Sequence, residues 1–175
     1  LFHHPTLQSF WKRELGKETG DILRQIIPET WVMDNRPLPP HATIPNLSIQ
    51  DLPITDFRQL SQISQKQRQL VIKPSGFSER AWGARGVAIG HDMPTEDWSD
   101  TIEMALGNFE TSPHVLQKFY KSKQVRMPYY DFEKREMVMM RGRALLRPYY
   151  FVTQNNKVRL SGIQAVVCPD DKKIL

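Results

Sequence analysis

The chain has one cysteine, Cys168, among 175 residues. An internal disulfide is therefore impossible, and no zinc pattern of paired cysteines is present. No apolar run approaches the roughly 20 residues needed to cross a bilayer, and the start lacks the basic-then-apolar pattern of a secretion signal. The expectation is a soluble, cytoplasmic chain. GxxxxGK[ST] and GxGxxG are both missing, which excludes a P-loop and a dinucleotide fingerprint. There is no internal repeat and no low-complexity tract. Opening on Leu1 rather than methionine, and ending on Ile174 and Leu175, the sequence reads as a piece of something longer.

Hydrophobic residues make up 39% and charged residues 25%, enough apolar chain to bury a core without staples and too much for a disordered segment. The formal charge of +5 is unevenly spread. Residues 1–120 carry twelve Lys and Arg against fourteen Asp and Glu, whereas residues 121–160 carry ten basic side chains against Asp131, Glu133 and Glu136. One segment thus holds the excess positive charge, and an anionic partner is expected there, with a solvated, internally paired face as the alternative.

Leu7, Phe10, Trp11 and Leu15 fall at near-helical spacing, Gly16 supplies a stop, and Ile22, Leu23 and Ile26 continue a second stripe that Pro28 ends. Residues 30–33 (TWVM) are β-prone, and the stretch with Pro37, Pro39, Pro40, Pro45 and Pro53 predicts a long irregular connection outside the core. Phe57, Leu60 and Ile63 predict a thin-faced helix over 55–67, and residues 70–73 (LVIK) a buried strand. Residues 86–89 predict a strand, 90–94 a turn, and Pro94 opens a helix carrying Trp98, Ile102, Ala105 and Leu106, closed by Gly107 and Asn108. Strands are predicted over 114–120, 137–140, 144–152 and 157–167, the last two joined through Asn155 and Asn156. The fold class is α+β, with residues 1–120 as a first unit and 121–175 as a basic, antiparallel second one.

The segment 70–90, LVIKPSGFSERAWGARGVAIG, carries the most chemistry. Lys73 leaves a strand end as a point charge, Gly76, Gly83 and Gly86 let backbone amides approach phosphate oxygens, and Arg80 or Arg85 adds charge. An ordinary turn is the competing reading. The order K-P-S-G, G-A-R-G-V, the Trp98 helix and then V-L-Q-K-F-Y, led in by I-P-E-T at residues 27–30, resembles the nucleotide-binding half of the ATP-grasp superfamily. The likeness is to its glutathionylspermidine-synthase-like and circularly permuted carboxylate–amine ligase branches, and it extends over most of the chain.

That resemblance implies two α+β lobes that clamp ATP, and ATP-dependent joining of a small carboxylate to an amine or thiol through an acyl phosphate. It implies that Lys73 contacts phosphate, that Gly83, Arg85 and Gly86 belong to the covering loop, and that Gln117, Lys118, Phe119 and Tyr120 line the adenine slot. It further implies that Arg147, on the basic strand with Arg141 and Arg143, meets the transferred phosphoryl group. Magnesium is implied too, but residues 160–167 contain no acid to hold it, and Asp170 with Asp171 reads as a solvated turn. Two other readings stay open: a non-catalytic basic domain that binds nucleic acid or another anionic partner through residues 121–160, or an inactive ATP-grasp relic. Tyr129, Tyr130, Tyr149 and Tyr150 among basic residues fit a stacking platform as well as an aromatic sheet rim. His3 and His4 are expected at a free end, and Cys168 has no adjacent base.

Overall fold

The computed structural model describes residues 2–76, 78, 79, 81 and 86–170. The chain is mixed α+β with antiparallel sheets and divides into two compact units, Leu1–Tyr120 and Lys121–Leu175. Among the described residues no helix is long and apolar enough to cross a membrane.

The first unit opens with α1, Gln8–Ile26, which breaks at Gly16, where φ is 71° and ψ 173°. A side chain there would be strained, so glycine separates the two helical stripes. Then come β1 (Thr30–Val32), the two-residue pair β2 (Ser48–Ile49) and β3 (Leu52–Pro53), β4 (Leu70–Pro74), β5 (Ala88–Ile89), α2 (Thr95–Gly107) and β6 (His114–Lys118). One antiparallel sheet runs β1-β6-β4-β5, so β6 is paired on both sides. Strand alternation sends Trp31, Leu116 and Ile72, which stand opposite one another, to one face and Thr30, Gln117 and Val71 to the other. The first face buries α2 through Trp98, Ile102, Ala105 and Leu106. Trp98 is fully buried, and its indole N–H donates to the Leu60 carbonyl at 3.1 Å.

Two expectations fail here. The proline-rich stretch is part of the core, because Ile44, Leu47 and Ile54 are buried in it. Its backbone is tied by Ile44 N–H to Ile54 C=O at 2.8 Å, so an aperiodic segment supplies core residues without a regular element. Residues 55–67 form two short 3-10 turns, Phe57–Gln62 and Gln65–Gln67, rather than one helix. Phe57, Leu60 and Ile63 recur every third residue, the 3-10 period, and the Asp56 and Gln59 side chains cap each other's backbone at the start.

Arg68 is fully buried. Its guanidinium donates to the carbonyls of Ile63 (2.8 Å), Met93 (3.0 Å) and Pro94 (3.4 Å) and to Thr95 Oγ1 (2.7 Å). It thereby ties the lead-in to β4 to the start of α2.

The second unit is one sheet, β7 (Gln124–Asp131), β8 (Glu136–Val152) and β9 (Val158–Pro169), in that order. Strand β7 was not expected, and the strands expected at 137–140 and 144–152 are one. Arg141 and Arg143 alternate with Gly142 and Ala144, so the period of two continues through the arginines. The bond from Asp170 N–H to the Arg141 carbonyl, with the printed register, turns the backbone groups of odd-numbered β8 residues toward β9. Pro148 therefore lacks a donor only where β7 has already ended, and Pro128 and Pro169 lack theirs on outer edges. Arg135 (φ 57°) and Asn156 (φ 55°) turn the two hairpins.

One face of this sheet carries Arg126, Arg141, Arg143, Arg147, Tyr130 and Tyr149, and the other is apolar through Met127, Met140, Leu146 and Ile163. Leu146 and Ile163 are 60% and 57% exposed. A Cβ on Gly142 would collide with the Cys168 carbonyl oxygen and sit 2.9 Å from Val167 Cγ1. Gly142→Ala should destabilise this sheet by about 1–3 kcal/mol; unchanged amide exchange in β8 and β9 would contradict the packing described.

Candidate functional site

Lys73 lies on the sheet face opposite α2, because Ile72 faces the core and alternation turns its neighbour away. Its Nζ donates to Gln117 Oε1 at 2.7 Å, Gln117 Nε2 donates to Thr30 Oγ1 at 2.9 Å, and the Thr30 hydroxyl donates to the Pro28 carbonyl at 3.0 Å. The chain of donors runs in one direction across β4, β6 and β1, and it fixes the orientation of the Gln117 amide. Residues 44 and 87 positions apart are joined this way, a link that sequence spacing does not reveal.

Burial lowers the Lys73 ammonium from its ordinary value of 10.5. Gln117 is its one hydrogen-bond partner among the described residues, and it is neutral. An ammonium has three donors, and one of them is engaged among the described residues. Lys118 differs, since it is ion-paired with Glu29.

Gln117, Lys118, Phe119 and Tyr120 do not act as one group. Gln117 joins Lys73, whereas Lys118, Phe119 and Tyr120 line a recess of about 330 Å³ with Leu47, Ile63 and Leu70. The Phe119 amide donates to the Gln69 carbonyl at 2.9 Å, and its ring lies 4.8 Å from that of His91. Tyr120 is 67% exposed. Lys73 stands opposite Val115 and Leu70 opposite Lys118, so ammonium and recess are three residues apart along the strands, roughly 10 Å. Gly83, Arg85 and Arg80 lie outside the described residues; Gly86 is described, just before β5.

In the second unit, Arg147 is exposed and its Nη1 donates to Gln164 Oε1 at 3.3 Å. Arg141 is paired with Asp170 at 3.3 Å, and Gln124 also donates to Asp170 at 2.8 Å. Asp170 is thus engaged by a cation and an amide, and Asp171 lies outside the described residues. Among the described residues no group of three His, Cys, Asp or Glu is placed to hold a metal, so the donor set present does not fit magnesium. The histidines expected at a free end are bonded: His3 Nε2 lies 2.7 Å from the Ile27 carbonyl, and His4 Nδ1 accepts the Thr6 amide at 3.3 Å.

Sequence reasoning missed a cleft of about 910 Å³, which opens along β1 and the residues after it. Its walls come in part from residues 34–38 and 44–46 of the aperiodic stretch, which carries no motif.

The Lys73 shift has a consequence for stability. The unfolded chain binds more protons than the folded one between the lowered value and 10.5, so stability rises with pH through that window. Lys73→Met should raise the denaturation midpoint at neutral pH and flatten the alkaline rise. Equal pH slopes for the two proteins would contradict a desolvated ammonium.

No protein-family model, curated protein or solved structure matches this chain.

Proposed function

We propose that this chain is the ATP-binding part of an ATP-grasp-like, two-lobe ligase of the cytoplasm that joins a small carboxylate to an amine or thiol. The observation that carries the reading is Lys73, a partly buried cation held at a strand end by one neutral partner among the described residues. A polyphosphate supplies the negative charge that Gln117 lacks, and the recess at the Leu70–Lys118 end of the same strand pair, roughly 10 Å away, suits a flat base. The element order of lysine strand, glycine-containing loop, helix and β6 supports the same reading.

In the reaction, a carboxylate oxygen attacks the terminal phosphorus, the bond to ADP breaks, and an acyl phosphate forms. The amine or thiol then attacks the acyl carbon, phosphate leaves, and the nucleophile's proton passes to solvent. Lys73 would hold phosphate oxygens during transfer and Arg147 would neutralise charge on the moving phosphoryl group. No step is assigned to magnesium, because the described donors do not fit it.

A second reading rests on the basic face of the second unit. Arg126, Arg141, Arg143 and Arg147 share that face with Tyr130 and Tyr149, a combination that suits a single-stranded nucleic acid. Calorimetric titration with Mg-ATP and with a short oligonucleotide separates the two. Under the ligase reading ATP binds and Lys73→Ala weakens it by about tenfold or more. Oligonucleotide binding that falls steeply with salt and ignores Lys73→Ala, without ATP binding, would overturn the ligase reading.

A further inference from the structure

The large cleft lies along an edge strand. Among the described residues β1 pairs only with β6, and the bonds that frame that pairing, Lys118 N–H to Glu29 C=O and Met33 N–H to His114 C=O, are both 2.9 Å long. In an antiparallel ladder residues 29, 31 and 33 therefore face β6, and residues 30 and 32 turn their backbone groups outward. The Val32 carbonyl accepts from Asp34 N–H at 3.1 Å. The Thr30 amide, the Thr30 carbonyl and the Val32 amide have no backbone partner among the described residues. Thr30 and Val32 both line the cleft.

The charges in the cleft walls are already matched. Asp34 takes Arg36 Nε at 3.0 and 2.9 Å, Arg58 pairs with Asp56 at 3.2 Å and with Glu103 at 2.9 Å, and Glu29 pairs with Lys118. Arg36 holds the Asp34 carboxyl below its ordinary range through that side-chain bond. A net ion would have to displace one of these partners. A neutral ligand rich in amides would not, and Trp31, Leu38 and Phe109 give the same cleft apolar wall.

We propose that the cleft binds an extended peptide, which adds to the outer edge of β1 as a further strand through the Thr30 and Val32 backbone groups. Alternate side chains of the peptide fall toward the apolar wall and toward solvent. This site is separate from the Lys73 anion site and stands whether or not ATP binds there.

The test is amide hydrogen exchange on the full chain without nucleotide, in the presence of a pool of acetylated, amidated hexapeptides. Randomised apolar residues alternate with threonine in the pool, and a second pool is fully N-methylated. The first pool should slow exchange at Thr30 and Val32 by about tenfold, leave Trp31 and Met33 unchanged, and act equally on Lys73→Ala. The N-methylated pool, which lacks amide donors, should not protect. Absence of protection at millimolar pool, equal protection by the N-methylated pool, or protection of the same amides by tripolyphosphate would each overturn the proposal.

Discussion

The first unit contains two cations withdrawn from water, and the difference in how they are satisfied governs the rest. Arg68 is fully buried, its pKa lowered by desolvation, and no carboxylate pairs with it among the described residues. Three carbonyls and a hydroxyl replace its water, so its charge is internally solvated and its function is to hold β4 against α2. Gly90 fits against it, since a Cβ there would stand 2.9 Å from Arg68 Cβ. Lys73, five residues along, has only the Gln117 amide among the described residues. One cation is a finished joint, and the other is held by a single neutral partner among the described residues.

The sheet converts that difference into a surface. Because β6 is central, one face of β1, β6 and β4 carries Trp31, Leu116 and Ile72 into the core while the other carries Thr30, Gln117 and Lys73. Position along the strand separates Gln117 from the recess lined by Lys118, Phe119 and Tyr120, which begins at the Leu70–Lys118 pair. The Lys73 ammonium and the recess therefore stand toward opposite ends of the β4–β6 pair. The second unit repeats the division more simply, with arginines on one face and apolar side chains on the other.

Much of this was legible where a strong local rule operates. Four apolar residues at helical spacing behind Pro94 specify α2, and LVIK specifies β4. Gly16 marks the helix break through its own backbone requirement. Ile44, Leu47 and Ile54 were not legible as core because their burial follows from tertiary bonds and not from a period. Strand β7 was hidden by Pro128 and by its charges, although the proline occupies an edge position where no donor is needed. At the candidate site Lys73 and Gln117 were each legible, but their union through Thr30 was not, because register between distant strands decides it. The β1 cleft left no sequence signal, since backbone groups form its polar edge.

The most direct measurement is the titration of the Lys73 side-chain ammonium by nuclear magnetic resonance, with and without Mg-ATP. In the free protein the account predicts a pKa below the ordinary 10.5. Added ATP should raise it, because a neighbouring anion favours the charged form. A Lys73 pKa at the ordinary value in the free protein, or one that ATP leaves unmoved, would contradict the claim that this lysine is a desolvated cation waiting for a polyphosphate.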